Sequence, residues 1–127
     1  MVSIKSIGRK NPQDVNLPEK FYAQAIANGR VDLERLAYLA SNQSTVRESD
    51  CYAVLLALEH NIMDELRSGR IVELGKVGRF QVGVRSHGNE LPDEVNSSSI
   101  KSAHLNFRPG RRFRDMLRTL DYKLVNG

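Results

Sequence analysis

A chain of 127 residues, 40% of them apolar, has the length of one domain or of one domain with an extension. Folding at this length buries roughly two-thirds of the unfolded chain's surface. The absence of Trp and an aromatic share of only 6% argue against a large core closed within one chain, and a core shared across a dimer would relieve that shortage.

The net charge of +4 would suit a polyanionic partner without requiring one. Its distribution says more. Residues 1–30 carry five Lys/Arg against two acids, residues 31–74 four against eight, and residues 75–127 ten against five. Basic residues gather toward both ends around an acidic middle, as a one-sided electrostatic footprint requires. Cys51 is the only cysteine, so no intrachain disulfide forms, and its place in an apolar stripe suits a small buried hydrophobe. The opening Met1-Val2-Ser3-Ile4-Lys5 is unlike a signal peptide, and no run approaches the roughly 18–20 apolar residues of a membrane span. The expectation is a cytoplasmic protein with no membrane partner.

In chain order, residues 1–31 form an N-terminal extension with turn signals at Asn11-Pro12 and Leu17-Pro18. Val2, Ile4 and Ile7 suit a short strand. Phe21, Ala23 and Ala25 alternate with Tyr22, Gln24 and Ile26 before Gly29, which suits a second strand, although Ala and Gln also favour a helix. From Asp32, a suitable N-cap, Leu33, Leu36, Ala37 and Ala40 recur at helical spacing, and Ser41–Ser44 is a turn. Thr45-Val46-Arg47-Glu48 fits a capping box. The long helix it opens, Val46 to Ser68, carries the stripe Cys51, Val54, Leu55, Leu58, Ile62 and Leu66, and Gly69 stands where a left-handed terminating residue is expected.

Strand chemistry follows in Ile71–Leu74, with Gly75-Lys76-Val77-Gly78 as a β-turn. Phe80, Val82 and Val84 then alternate with Arg79, Gln81 and Arg85. Residues 86–99 are polar and rich in turn formers. Alternation resumes at Ile100, with Lys101, Ala103, Leu105 and Phe107 on one face and Ser102, His104, Asn106 and Arg108 on the other. Pro109-Gly110 ends the strand, a short amphipathic helix runs from about Arg111 to Thr119 with Phe113, Met116, Leu117 and Leu120 as its apolar side, and Tyr122–Val125 suits one more strand.

Nothing in this pattern asks for an enzyme. His60, His87 and His104 are scattered, with no neighbour at metal-ligand spacing, and the Gly75–Gly78 turn lacks the spacing and Ser/Thr of a P-loop. The expectation is no catalytic residue, no metal, no cofactor and no small-molecule substrate. The positive signal is Arg108, Arg111, Arg112, Arg114 and Arg118, opposed only by Asp115. A solvated helix face is the ordinary use of such a run, but guanidinium offers a planar, bidentate fork for phosphate. The backbone N–H groups at the start of the helix near Arg111 would add to an anion site.

The order of elements is distinctive: helix, turn, long helix, three-stranded sheet with a long excursion, then Phe-Arg-Pro-Gly-Arg and a short helix. It resembles the HU/IHF family of bacterial histone-like proteins. The resemblance is carried by Asp32-Leu33 with Leu36-Ala37, Val46–Asp50, Gly69–Leu74, Gly78–Val82 and Phe107–Arg111, and spans about residues 31 to 120. It implies an α+β fold with a helical base and a three-stranded antiparallel β-saddle. It further implies an intertwined homodimer that binds double-stranded DNA through its backbone in the bacterial nucleoid, bending it with little sequence preference. On that basis residues 32–127 form the DNA-binding domain, with an arm at about 84–103. Arg108, Arg111 and Arg114 fall at phosphate-contacting positions, while Arg79, Arg85, Lys101 and Arg112 are added from strand alternation and charge. The connection from Phe80 to Phe107 is short for the family and lacks its Arg-Asn-Pro tip. Leu91-Pro92 takes the tip position, but Glu90, Asp93 and Glu94 surround it and would repel phosphate. An HU-like fold serving as a protein-interaction module, with weak or no DNA binding, is the alternative.

Overall fold

The computed structural model describes residues 1–14 and 16–125; Val15, and Asn126 and Gly127 at the end of the expected DNA-binding segment, lie outside the described residues. In chain order it comprises strands β1 (Val2–Arg9) and β2 (Lys20–Ile26), then helices α1 (Leu33–Asn42) and α2 (Glu48–Arg67). Strands β3 (Val72–Leu74), β4 (Gly78–Ser86) and β5 (Ile100–Pro109), helix α3 (Arg111–Leu117) and strand β6 (Tyr122–Leu124) follow. The class is α+β, with two three-stranded sheets among the described residues, ordered β2-β1-β6 and β3-β4-β5. The chain divides into two compact units, residues 1–32 with 117–127, and residues 33–116.

In the first unit β1 and β2 are antiparallel, with Ser3 opposite Ile26 and Arg9 opposite Lys20. Residues 20–26 become a strand rather than a helix because β1 supplies a hydrogen-bonding partner for the alternating residues, a tertiary term that outweighs the helix preference of Ala and Gln. The expected tail strand is present as β6. It runs parallel to β1, placing Val2 opposite Tyr122 and Ile4 opposite Leu124. The strands of residues 1–31 thus pair with the chain's last strand and form a sheet of their own.

In the second unit α1 packs on α2, and Ala37 is the one fully buried apolar residue among those described. Helix α2 begins at Glu48, not Val46, and the expected Thr45 capping box does not form. Arg47 is the N-cap and makes no side-chain cap bond. Ser44 Oγ accepts the Val46 N–H at 3.2 Å, turning the chain locally and leaving Thr45 two residues before the N-cap. Glu48 and Asp50 in the first turn still complement the helix dipole. At the other end Gly69, at φ +81°, donates its N–H to Leu66 O at 2.9 Å, and Arg70 donates to Glu65 O at 3.2 Å. That pair of bonds is a Schellman motif closed by the expected glycine.

The stripe of α2 is covered only in part. Cys51, Leu55, Ile62 and Leu66 are half-buried, and Val54 is 64% exposed, so the expectation that Cys51 is buried fails within one chain. The sheet β3-β4-β5 is antiparallel throughout, and its longest pairing runs from Gly78 opposite Pro109 to Ser86 opposite Ile100. The row Val72, Phe80, Phe107 crosses all three strands, with the two rings 4.9 Å apart and tilted by 32°. Helix α3 ends at Leu117, two residues short of the expected Thr119.

Two left-handed glycines separate two costs. At Gly69 a Cβ meets open space, whereas at Gly78 (φ +149°) it would lie 2.3 Å from Arg108 O and 2.7 Å from the Phe107 ring. Gly69→Ala should therefore cost about 1 kcal/mol, the ordinary left-handed penalty. Gly78→Ala should cost about 3 kcal/mol or more, because backbone must also shift. Urea denaturation of the two variants side by side checks the order.

Candidate functional site

Register, more than sequence proximity, assembles the polar face of the β4–β5 hairpin. Arg79 stands opposite Arg108, Gln81 opposite Asn106, Gly83 opposite His104, and Arg85 opposite Ser102. Apolar partners alternate with these on the other face: Phe80 with Phe107, Val82 with Leu105, Val84 with Ala103. Gly83 makes room for the polar row, since a Cβ there would meet His104 Nε2 at 2.5 Å and Asn106 Nδ2 at 3.0 Å.

At the base of this face the Gly75–Gly78 turn, closed by Val77 N–H to Leu74 O at 3.0 Å, packs on the Pro109-Gly110 junction. Gly110 donates its N–H to Val77 O at 2.9 Å, and a Cβ on Gly110 would lie 2.3 Å from Lys76 O. The strand therefore stops against the turn, and Arg114 N–H bonds back to Gly110 O at 2.9 Å as α3 begins. The chain passes from strand to helix within three residues. Arginines from a strand and from a helix come to one place.

The result is a cavity of about 270 Å³ lined by Glu73, Arg79, Arg108, Arg111 and Arg114 together with the junction glycines. An adjoining depression shares Gly75, Gly110 and Arg111 with it and adds Lys76, Arg112 and Asp115. A third, toward the arm, is lined by Arg79, Gln81, Asn106, Phe107 and Arg108. Across the first two, six cations face two carboxylates. Glu73 lies opposite Arg79, with a carboxylate oxygen 4.0 Å from the guanidinium Nε, and both side chains are largely exposed. Like charges placed directly across a strand pair are destabilising, so the Arg79–Arg108 pairing is a local cost that Glu73 offsets in part and that an anion from outside would relieve further.

Of the sequence-selected residues, Arg79, Arg108, Arg111 and Arg114 meet in one cavity, and Arg112 borders it. Arg85 shares the polar face but lies six residues along β4, about 20 Å away at 3.3 Å per residue. Lys101 sits at a register shift, between Ser102 opposite Arg85 and Ile100 opposite Ser86, and so has no place in the polar row. Leu91 and Pro92 belong to the far connection of the hairpin, where Pro92–Glu94 forms a single 3₁₀ turn. That connection is tied down at Ser99, whose hydroxyl donates to Asn89 Oδ1 at 3.0 Å and accepts the Asn96 N–H at 3.2 Å. Sequence reasoning missed Lys76, Gln81, His104 and Asn106. Alternation had already set Gln81 beside Arg79, and His104 and Asn106 beside Arg108, but only the register of β4 on β5 joins the two rows.

The described residues hold no group of three or more His, Cys, Asp or Glu placed for a metal ion, and no helix among them is long and apolar enough to cross a membrane.

Residues 2–123 match the HU-HIG family, described as an HU domain fused to wHTH, Ig, or Glycine-rich motif. No curated protein matches the chain. Among solved structures, one from Bacteroides vulgatus, provisionally assigned as a bacterial DNA-binding protein, is similar at a TM-score of 0.65 and 13% identity. The likeness covers 97% of this chain and 48% of that one, so the chain spans about half its length. Anabaena HU, crystallised with DNA, is similar at a TM-score of 0.56 and 20% identity, over 71% of this chain and all of that one. At these identities the likeness is one of fold.

Glu73→Gln removes a carboxylate from the cationic cavity and should delay elution from immobilised heparin, a polyanion. Arg108→Ala should advance it. Earlier elution of Glu73→Gln would show that the acid organises the arginines rather than opposing the anion.

Proposed function

The chain belongs to the HU-HIG family, and from that premise we propose that it is a non-enzymatic protein of the bacterial nucleoid that binds duplex DNA with little sequence preference and bends or organises it. The observation that carries this reading is the convergence of Arg79, Arg108, Arg111 and Arg114 on one cavity, with Arg112 and Lys76 at its edge. Guanidinium groups held at a strand-to-helix junction suit the bidentate geometry of phosphate. Gln81, Asn106 and His104 extend the surface as hydrogen-bonding groups that track a backbone without demanding a base sequence. Arg85 and Lys101 belong to the arm, at about 84–103, and would meet phosphates farther along the duplex. At the tip, Leu91 is 58% exposed beside Pro92, but Asp93 and Glu94 share its turn. Such a tip rests against the backbone or a partner more readily than it wedges between bases.

The working unit is an intertwined homodimer whose two β3-β4-β5 sheets form the saddle of a DNA-binding domain within residues 32–127, residues 1–31 being the N-terminal extension. The one fully buried apolar residue among those described cannot offset the ordering entropy of so many residues. Meanwhile Val54, Leu58 and Met63 of α2, and Val82, Val84 and Leu105 of the hairpin, are 38–64% exposed. A second copy covering these faces supplies the missing core.

The triple variant Arg108→Ala/Arg111→Ala/Arg114→Ala should weaken binding to any duplex and flatten the dependence of log K on log[salt] by about 0.9 for each phosphate left unneutralised. Wild type neutralising six to ten phosphates should lose about 10³ to 10⁵ in affinity between 50 and 200 mM salt. Gel-shift titration on random duplex measures both. No shift at low salt would favour the protein-interaction alternative, and a triple variant that binds like wild type would exclude this surface.

Sedimentation should give twice the 14.3 kDa chain mass, with a thermal midpoint that rises with protein concentration.

A further inference from the structure

A second cationic surface lies on the N-terminal sheet, in the unit that does not contain the arginine cavity. The register of β1 on β2 sorts that sheet into two unlike faces. Ser3, Lys5, Ile7 and Arg9 share a face with Ile26, Gln24, Tyr22 and Lys20, and β6 adds Lys123 opposite Ser3. The other face carries Val2, Ile4, Ser6 and Gly8 with Ala25, Ala23 and Phe21. Of the two acids in the connection, Asp14 and Glu19, the Glu19 carboxylate lies over Gly8 and so over the second face. Among the described residues, no salt bridge involves Lys5, Arg9, Lys10, Lys20 or Lys123.

Where the cationic face meets the β1–β2 connection there is a cavity of about 560 Å³, lined by Arg9, Lys10, Asn11, Pro12, Leu17, Pro18, Lys20 and Tyr22. Its walls are of two kinds. Tyr22, half exposed, with Pro12, Leu17 and Pro18, offers flat apolar surface, and Arg9, Lys10 and Lys20 stand around it. A duplex presents phosphates outward and keeps its bases stacked, so it would use the cations and leave the apolar wall uncovered. An unpaired nucleotide uses both, stacking its base on an aromatic side chain while its phosphates meet the cations.

We propose that this face is a second nucleic-acid site that takes a single strand, with a base against Tyr22 and the flanking phosphates on Arg9, Lys10 and Lys20. Lys5 and Lys123 continue the cationic track along the sheet. The site goes beyond the duplex-binding role of the arginine cavity and does not depend on it.

The test is fluorescence anisotropy of the full chain with a labelled oligothymidylate of about 15 nucleotides, the upper range of one single-strand footprint. A labelled random duplex runs in parallel. Tyr22→Ala should lower affinity for the oligothymidylate about tenfold, the loss of one stacked base. Tyr22→Phe, which keeps the ring, should bind as wild type, and Lys10→Ala/Lys20→Ala should flatten the salt slope for the single strand. Because Tyr22 is 50% exposed, its removal empties no core. The Arg108→Ala/Arg111→Ala/Arg114→Ala variant should keep its oligothymidylate affinity. Wild-type affinity in Tyr22→Ala, equal losses on single strand and duplex, or loss of single-strand binding in the triple arginine variant would each overturn the proposal. A triple variant that still binds duplex, beside a Tyr22→Ala variant that loses single strand, would sink the duplex reading and leave this one standing.

Discussion

The packing of the Gly75–Gly78 turn on the Pro109-Gly110 junction holds the arginine surface together. Gly110 gives its N–H to Val77 and presses against the Lys76 carbonyl, while Gly78 passes under Arg108 and Phe107 at a distance that admits no Cβ. Three consequences follow from that approach. It sets the end of the β4–β5 ladder, and with it the register that pairs Arg79 with Arg108. It forces the chain out of the strand, since Pro109 cannot donate to a ladder, so that α3 starts at once with Arg111. It also carries Gly75 and Lys76 of the β3–β4 turn to the same place. An arginine surface drawn from a turn, two strands and a helix needs such a junction, because the strand pairing by itself positions neither the turn nor the helix.

The hairpin separates charge from apolar surface as a consequence of strand geometry alone. Successive side chains point to opposite faces, so one register places Phe80, Val82 and Val84 against Phe107, Leu105 and Ala103 and leaves the polar row on the other side. A slip of one residue would mix the two. The same logic governs the N-terminal sheet, where Lys5, Arg9, Lys20 and Tyr22 share a face only because Arg9 lies opposite Lys20. In both units a one-faced cationic surface is thus a product of pairing, and in both the opposite face is left with apolar residues that one chain does not cover.

Much of the fold was legible in the amino-acid sequence. The period change at Asp32, the long stripe behind Cys51, Gly69 at a helix end and the Pro109-Gly110 break are local signals, and each marks an element boundary within a few residues. The capping box at Thr45 was not formed, because a Ser one residue earlier offered the backbone a competing bond. The strand at residues 20–26 was ambiguous, because its residues suit either state and only the presence of β1 decides between them. Cys51 was expected to be buried on the strength of its stripe, whereas burial depends on what lies across from the stripe, and within one chain little does.

By itself the amino-acid sequence determined where basic charge collects, which residues alternate, where helices stop, and that Phe107–Arg112 marks a strand-to-helix change. These follow from side-chain chemistry and from backbone preferences that act over a few neighbours. Only the tertiary structure decided which cations face one another. Arg79 and Arg108 are 29 positions apart yet directly opposed, whereas Lys101, closer to Arg108 in the chain, falls at a register shift outside the row. It also decided that the last strand joins the first. The physical reason is the same in each case: hydrogen-bond pairing between distant segments fixes register, and register has a period of two residues that no local preference encodes.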